Sequence, residues 1–336
     1  MRKTLIVVSV LLQILVLAYM AGEREHILRS GRIIYLRTAP IDPRDLFRGD
    51  YVRLNYEISN IPATYLPLGD AGKIIKGEKV YVNLKAGPEG LYELDQVSIT
   101  RPHAGLYLVG RSPYDYRIRQ LPHPLMLKYG IEAYFVQQGR GRQMEQHLGN
   151  RNGIQIPLEM QIAVGRSGKA VIKSHRWSPI GMGLQVLRSP PVNPQTQTGP
   201  FSAKIALTLA NASDAPLALV ALPDDCSFAL QTAQSAQKNW LLANNPCTTV
   251  QPTDDDVLVL QSGDEKIFEF DFSDARWLVQ VQNSAPAEIG TLDWSERFRL
   301  IYRPPDETAC SHLESRELIW HGYLPSRAFH GRGRID

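Results

Sequence analysis

Cysteine is scarce in this sequence, which has three in 336 residues: Cys226, Cys247 and Cys310. No CxxC pair occurs and the eight histidines show no metal-ligand spacing, so we expect no metal centre and no other cofactor. Three cysteines allow at most one intramolecular disulfide. We favour Cys226 with Cys247, which would close a loop of about 20 residues and contribute about 3 kcal/mol in the chain-entropy model. The alternative is three buried, unpaired thiols.

Long helical patterns are also rare after the N-terminus. Twenty-five glycines and 23 prolines interrupt the chain at short intervals, which favours β structure. Hydrophobic residues make up 43% of the sequence, and this content excludes collagen-like and wholly disordered proteins. The length is sufficient for about two domains, at roughly 150 residues each, with separate cores. We therefore predict a mainly β protein of two domains.

One long hydrophobic run does occur, at the very start. Arg2 and Lys3 precede a stretch from Thr4 to Gly22 that carries no charge. As a helix it would be about 28 Å long, close to the hydrocarbon core of a bilayer at roughly 30 Å. A cleaved signal peptide is the alternative. Cleavage requires small residues just before the cleaved bond, and the bulky Tyr19 and Met20 do not meet this requirement. We predict an N-terminal membrane anchor over residues 1–25.

The charges beside this run do not by themselves decide the orientation. The arginines that follow it outnumber the two cations before it: Arg24, Arg29, Arg32 and Arg37. Large domains, however, cross the membrane largely regardless of such charges, and an apolar run that begins at residue 4 has the layout of a secretory signal. We therefore expect a single-pass protein of the bacterial inner membrane whose bulk lies in the periplasm.

The charged residues divide the chain into two halves of opposite sign. Residues 23–190 hold 24 Lys/Arg and 15 Asp/Glu, whereas residues 191–336 hold 11 and 19. Such a contrast predicts two separately built domains, 26–188 and 201–336, joined by a Pro-rich linker at 189–200. The basic half lies next to the bilayer, so the inner membrane itself is an expected partner. Nucleic acid is not expected, because the arginines form no patch interleaved with aromatic residues.

In the first half, residues 42–58 contain signals for a short capped helical turn followed by a strand. Asp42 is a good helix N-cap, with Pro43 at the first helical position, and Gly49 suits the end of the turn. From Tyr51 to Ile58 apolar and polar residues alternate, with Val52, Leu54, Tyr56 and Ile58 on one face. This alternation predicts a half-buried strand.

The same stretch carries a family resemblance. Residues 49–58, GDYVRLNYEI, match every specified position of the motif that names the GDYxxLxYxI family of bacterial membrane-anchored proteins. Residues 129–141 are similar to that family's second signature, although an acidic residue is more usual at Gln138. The resemblance covers about residues 26–180. The motif residues are Gly49, Asp50, Tyr51, Leu54, Tyr56, Ile58, Tyr129, Gly130, Glu132, Tyr134, Phe135 and Gly139.

The resemblance implies a domain of uncharacterised function that faces the periplasm. It also implies a partner, since members are often encoded beside a multi-spanning membrane protein. It supplies no active site and no small-molecule ligand. From the residues alone, about seven short strands between Gly, Pro and Asn predict a β-barrel or β-sandwich for this domain.

Acidic and basic residues cluster around the first signature: Asp42, Arg44, Asp45, Arg48 and Asp50. Paired carboxylates of this kind could perform acid and base catalysis or bind a hard cation. Capping and turn formation already account for two of the three aspartates, and alternating charges are usually surface ion pairs. We therefore assign no catalytic residue, and a hydrolase of envelope polymers that uses this cluster stays open as an alternative.

The second half resembles an immunoglobulin-like β-sandwich. Two strand-like runs flank an Asn/Ser/Asp/Pro turn at residues 211–216, and further short strand-like runs follow up to residue 323. Together the halves predict a non-enzymatic envelope protein that serves as a binding or accessory subunit of a membrane protein. A purely structural subunit is the remaining alternative.

Overall fold

The computed structural model describes residues 2–38, 51–62, 65–66, 74–116, 124–137, 140–149, 153–188, 203–232, 238–242, 247, 249–274, 277–281, 285, 287–288, 297–330 and 335. The chain opens with helix α1 (Arg2–Ser30). Its large apolar side chains from Leu5 to Met20 are each 47% to 72% exposed. Within the described residues it is the one helix long and apolar enough to cross a membrane. No part of the described protein covers this surface, as expected of a helix surrounded by lipid.

The first β body, which we call the proximal domain, follows α1 directly. Its elements are β1 (Arg32–Arg37), β2 (Tyr51–Arg53), β3 (Asn60–Ile61), β4 (Lys79–Ala86), β5 (Tyr92–Ser98), β6 (Leu106–Arg111), β7 (Leu125–Met126), β8 (Ala133–Phe135), α2 (Arg140–Leu148), β9 (Leu158–Val164) and β10 (Ala170–Trp177). Its strands pair antiparallel in the orders β1-β9-β10, β5-β4-β6, β2-β8 and β3-β7, and none of these described sheets closes into a barrel.

Period-two alternation places one face of each long strand in a common core. In β1 and β9 the buried residues include Ile34, Leu36, Met160 and Ile162, each at most 1% exposed. The opposite face of the same sheet carries polar side chains, and these form the charged cluster described below. Burial of one face accounts for the stability of the sheet, while the other face is available for contacts with a second body.

The alternating segment of the first signature is a strand only at its start. β2 ends at Arg53, and a 3-10 turn (Glu57–Ser59) follows. The prediction of a strand through Ile58 was therefore wrong. The reason is local, because the Ser59 hydroxyl accepts the Tyr56 N–H at 3.2 Å and the Tyr56 carbonyl accepts the Ser59 N–H at 2.9 Å, which closes a turn instead of extending a ladder.

The second β body, which we call the distal domain, follows the proximal one in sequence. Its strands are β11 (Ile180–Arg188), β12 (Lys204–Asn211), β13 (Leu217–Val220), β14 (Phe228–Thr232), β15 (Lys238–Leu242), β16 (Val257–Leu260), β17 (Glu265–Asp271), β18 (Trp277–Val281), β19 (Ala287–Glu288), β20 (Arg297–Tyr302), β21 (Leu324–Pro325) and β22 (Phe329–His330). They pair antiparallel in the orders β11-β12-β17, β13-β16, β14-β20-β21 with β22 also on β20, and β15-β18-β19.

Aromatic residues dominate the distal core. Phe270, Phe272, Trp277, Phe298 and Phe329 are each at most 2% exposed. Phe272 stacks on Phe329 with ring centroids 5.7 Å apart, and Trp277 meets Phe272 edge to face at 5.4 Å. The mainly β class is confirmed for both bodies, whereas the immunoglobulin-like assignment of residues 201–336 stays a prediction.

The two cores divide before the predicted linker. Trp177 packs against the proximal core, whereas Ile180 and Met182 of β11 belong to the distal core. β11 was assigned to the first domain by sequence, but it pairs with β12 along its length. Residues 189–200 lie outside the described residues and connect these two paired strands. Proline and polar residues therefore mark a connection within the distal sheet at this place.

The cysteines fall into two environments in the distal domain. Cys226 and Cys247 form a disulfide, 21 residues apart in sequence. Cys310 is a buried free thiol with 0% exposure, and burial raises its pKa. The thiol of Cys310 is therefore a packing group that carries little thiolate.

Candidate functional site

The two signature segments lie side by side in the proximal domain. β2 pairs with β8 antiparallel, so that Tyr51 stands opposite Phe135 and Val52 opposite Tyr134. The Leu54 N–H then donates to the Glu132 carbonyl at 2.8 Å. More than 70 residues of sequence separate the segments, and their pairing brings the family motif together in one place.

Two buried tyrosines lock these segments to each other reciprocally. The Tyr56 hydroxyl of the first signature donates to the Ile131 carbonyl at 2.8 Å, and the Tyr129 hydroxyl of the second donates to the Ile58 carbonyl at 2.5 Å. Burial raises the pKa of both phenols, with a further contribution from Glu132, so both stay protonated donors. Each hydroxyl satisfies a backbone carbonyl that is not paired in a sheet.

Glu132 and Gly130 shape the turn that carries the second tyrosine. Both Glu132 carboxylate oxygens accept backbone N–H groups, from Tyr129 at 2.5 Å and from Gly130 at 3.0 Å. Gly130 has φ +81°, which a residue with a Cβ adopts only at a cost. The carboxylate of this signature is therefore engaged in holding the turn.

The structure thus brings together most of the predicted motif residues that it describes. Leu54, Tyr56, Ile58, Tyr129, Gly130 and Glu132 build the fold through burial and hydrogen bonds. Tyr51 is placed by its backbone in β2. Several predicted residues lie outside the described residues, namely Gly49 and Gly139 of the motif and the polar cluster Asp42, Arg44, Asp45, Arg48 and Asp50.

Tyr134 and Phe135, the remaining motif residues, open onto a surface cleft of about 480 Å³. We call it the aromatic cleft and define it by its ring-bearing residues. The Phe135 side chain is 76% exposed. The His147 ring from α2 lies 4.5 Å from the Trp177 ring of β10. The aromatic cleft is formed by Tyr134, Phe135, His147, His175 and Trp177.

The polar groups of the aromatic cleft are neutral or basic. The Tyr134 hydroxyl is hydrogen-bonded to His175 Nδ1 at 3.1 Å. Burial lowers the pKa of His175, and the positive charge of Arg140 lowers it further, so this imidazole is neutral at neutral pH. Arg140, Gln137 and Gln143 are the other polar residues of the lining, and the part of the lining that the structure describes contains no carboxylate.

A second polar site lies on the outer face of the β1-β9-β10 sheet. Glu159 of β9 stands opposite Arg37 of β1 and Arg176 of β10 in register. Its two carboxylate oxygens accept from Arg37 Nη2 at 3.0 Å and from Arg176 Nε at 2.7 Å. The side chains of Arg37 and Glu159 are each 2% exposed. The charges are buried but matched, which limits their desolvation cost.

This charged cluster also joins the two domains. Arg37 Nη1 donates to the backbone carbonyl of Tyr323 in the distal domain at 2.7 Å, and its guanidinium lies 4.7 Å from the centre of the Tyr323 ring. The Tyr323 hydroxyl in turn donates to Glu57 Oε2 at 3.4 Å. Burial raises the pKa of Glu57 although Arg37 and Arg299 oppose the rise. The cluster is a domain interface in which Arg37 Nη1, Arg37 Nη2 and both Glu159 oxygens have partners, while Arg37 Nε is buried without a hydrogen-bond partner among the described residues.

Of these two sites, the aromatic cleft is the one open to a ligand. The described residues contain no group of three or more His, Cys, Asp or Glu side chains that could hold a metal ion. His147, His175, Trp177 and Arg140 of the cleft were not predicted from the sequence. The signal that was available is that Tyr134 and Phe135 belong to the second signature.

Residues 13–174 match the sequence model of a family described as GDYXXLXY protein, and this range runs from within α1 to β10. No curated protein and no solved structure matches the chain.

Proposed function

Because residues 13–174 belong to the GDYXXLXY family and α1 is long and apolar enough to cross a membrane, we propose that the chain is a non-enzymatic, membrane-anchored accessory subunit. In this proposal it spans the bacterial inner membrane once, its bulk faces the periplasm, and it binds a multi-spanning membrane protein through the aromatic cleft. The observation that carries the proposal is that Tyr134 and Phe135 of the second signature line that cleft, where the Phe135 side chain is 76% exposed.

The junction between anchor and domain supports a subunit held at a fixed height above the bilayer. α1 continues without a break to Ser30, and β1 begins at Arg32. Near the end of α1, Ile27 is only 5% exposed, and Glu23 forms an ion pair with Lys169 at 2.5 Å. A helix that packs on the domain it carries restricts where that domain can meet other membrane proteins.

The disulfide supports the periplasmic side of the membrane. Disulfides form and persist in oxidising compartments, which include the bacterial periplasm, and they are rare in the cytosol. The bond between Cys226 and Cys247 lies in the distal domain, and that domain is on the same side of α1 as the proximal one. One such bond therefore favours a periplasmic location for both.

The chemistry of the signature residues favours binding over catalysis. The hydroxyls of Tyr56 and Tyr129 and the carboxylate of Glu132 are all used in backbone hydrogen bonds. A catalytic acid or base needs a proton that it can exchange with a substrate, and these groups hold the fold instead. The signature residues that remain, Tyr134 and Phe135, line the aromatic cleft.

The lining of the aromatic cleft fits a polypeptide segment with an apolar side chain beside a carboxylate. Aromatic rings provide contact area at low conformational cost, Arg140 provides a partner for the carboxylate, and Gln137 and Gln143 provide hydrogen bonds to a backbone. A periplasmic loop of a multi-spanning protein is such a segment, and anchoring confines both proteins to the same surface.

Site-specific photocrosslinking tests this proposal. A photoreactive amino acid replaces Phe135 in the full chain in cells, and a matched variant carries it at Ile267, which is 57% exposed in the distal domain. We expect one discrete membrane protein to be crosslinked from position 135 and not from position 267, and we expect Arg140→Gln to weaken that crosslink. Equal crosslinking from both positions, or crosslinks to envelope glycan alone, would contradict the proposal.

A further inference from the structure

A groove lies where the anchor helix meets the proximal domain. Its volume is about 670 Å³. We call it the juxtamembrane groove. Its walls are the last turns of α1, the start of β6 and the turn between β9 and β10. The residues that matter for its chemistry are Glu23, His26, Arg32, Tyr107, Arg166 and Ser167.

The groove lies at the height of lipid head groups. The apolar run of α1 ends at Gly22, so His26 is about 6 Å farther along the helix at a rise of 1.5 Å per residue. Head-group regions extend about 5 to 7 Å beyond each side of the hydrocarbon core. Because the helix packs on the sheet through Ile27, the β9–β10 turn is held at the same level.

The side chains around the groove leave an excess of positive charge. Glu23 is paired with Lys169 and Glu25 with Arg29, so these four charges cancel. Four arginines on α1, β1 and the neighbouring loops are not paired with a carboxylate among the described residues: Arg24, Arg32, Arg101 and Arg166. The groove is therefore an electropositive pocket beside a membrane span.

Arg166 is the group best placed for an external anion. Its backbone carbonyl accepts hydrogen bonds from Arg101 Nη2 at 3.3 Å and from the Tyr107 hydroxyl at 3.1 Å, which fix the turn. Its guanidinium is exposed and makes no hydrogen bond or ion pair with the part of the chain that the structure describes. Across the groove, Arg32 donates to the Tyr92 hydroxyl at 2.8 Å and keeps further donors available.

We infer that the juxtamembrane groove binds the phosphate of an anionic phospholipid head group, with Arg32 and Arg166 as its two guanidinium ligands and Ser167 as a further donor. Guanidinium groups pair with phosphate through parallel hydrogen bonds, and surface cations next to a bilayer are attracted to anionic lipid. The inference rests on the membrane anchoring of the proposed function, since a lipid reaches the groove only if α1 is embedded.

Lipid titration of the full chain in detergent, followed by native mass spectrometry, tests the inference. Phosphatidylglycerol and phosphatidylcholine are the two probes. We expect the full chain to prefer phosphatidylglycerol, and the double variant Arg32→Gln/Arg166→Gln to lose about thirtyfold in affinity for it. The control Lys79→Gln/Lys266→Gln removes the same charge from exposed positions away from the groove and should keep the preference.

Each other outcome is decisive. Equal loss in the control pair, or no preference in the unaltered chain, overturns the inference. If Arg32→Gln fails to fold because of its Tyr92 contact, Arg166→Gln alone decides, since that side chain is exposed. Saturable binding of inorganic phosphate by a chain that shows no preference between the two lipids would assign the groove to free phosphate and overturn the inference of a lipid ligand. Alkaline extraction of membranes separates the two proposals: an extractable chain refutes the anchor, whereas an embedded chain without lipid preference refutes only the groove.

Discussion

The signature tyrosines act through single hydroxyl groups. Removal of the Tyr56 hydroxyl leaves the Ile131 carbonyl without its partner, and removal of the Tyr129 hydroxyl does the same to Ile58. An unsatisfied buried carbonyl costs about 1–3 kcal/mol. We expect Tyr56→Phe and Tyr129→Phe each to lower the free energy of unfolding by about 1–2 kcal/mol, measured by urea unfolding of the full chain in detergent.

The control for these variants is Tyr114→Phe, because the Tyr114 side chain is 45% exposed. That change should leave the free energy of unfolding within about 0.5 kcal/mol of the unaltered chain. If all three substitutions have the same effect, the reciprocal hydrogen bonds do not carry the stability of the motif.

Glu57 makes stability depend on pH. Burial raises its pKa above the ordinary value of 4.5, so the native state holds this proton to a higher pH than the unfolded chain does. The free energy of unfolding therefore falls as pH rises from 4.5 through the raised pKa. Glutamine cannot ionise, so we expect the free energy of unfolding of Glu57→Gln to fall less with rising pH than that of the unaltered chain. Urea unfolding at a series of pH values measures this difference. Glu265→Gln, at an exposed position, should retain the fall of the unaltered chain.

At the scale of single residues, the sequence predicted which side chains are buried but not which groups they hydrogen-bond. The alternation in the first signature predicted a buried face, and Val52, Leu54, Tyr56 and Ile58 are at most 5% exposed. The acceptor of the Tyr56 hydroxyl is 75 residues away in sequence, and only the tertiary fold brings it near. Periodicity determines which side of an element is apolar and carries no information on such distant pairs.

The anchor helix packs on the proximal domain through Ile27. Its side chain is 5% exposed and lies against Gly165, where an added Cβ would come within 3.1 Å of the Ile27 side chain. We expect Ile27→Ala to weaken this contact by about 2–4 kcal/mol and to accelerate amide exchange over residues 24–31. Hydrogen exchange of the full chain in detergent measures the exchange rates of these amides.

The matched control for the helix contact is Arg24→Ala, at an exposed position on the same helix. It should leave exchange over residues 24–31 nearly unchanged. Equal acceleration in both variants would mean that the helix end is mobile regardless of Ile27, and the fixed height of the proximal domain would then be wrong.

At the scale of elements, the sequence predicted whether a segment is a helix or a strand better than it predicted where that element ends. The uncharged run from Thr4 to Gly22 predicted a helix, and α1 indeed continues eight residues beyond it to Ser30. The first signature predicted one strand, whereas the Ser59 hydroxyl turns the chain after β2. Side-chain hydrogen bonds to the backbone compete with a ladder, and a pattern of apolar residues does not reveal which will win.

The two domains meet at Tyr323, which contacts Arg37 and Glu57 across the interface. We expect Tyr323→Ala to destabilise this interface by about 3 kcal/mol, because it removes a cation–π contact and a partly buried ring. Tyr323→Phe retains the ring and should cost about 1 kcal/mol or less. Hydrogen exchange at β1 and at residues 57–59 reports on the interface from the proximal side.

If Tyr323→Ala leaves exchange in those segments unchanged, the domains do not depend on this contact. Equal effects of the Ala and Phe variants would assign the stability to the hydroxyl and its hydrogen bond to Glu57 instead of the ring.

At the scale of the whole molecule, the sequence did not reveal where the two β cores divide or which residues join them. The Pro-rich segment 189–200 predicted a linker between domains, yet it joins β11 to β12, which pair with each other. Arg37 and Tyr323 are separated by 286 residues, and nothing local marks them as partners. Net charge of opposite sign in two halves is compatible with attraction and does not identify the contact.

We propose that α1 holds both β domains on the periplasmic side of the inner membrane, and protease accessibility in intact spheroplasts tests this proposal. We expect added protease to degrade both domains in intact spheroplasts and to leave a short membrane-protected fragment around α1. A chain that stays intact until the spheroplasts are lysed, or that is released as a soluble protein when they form, would contradict it.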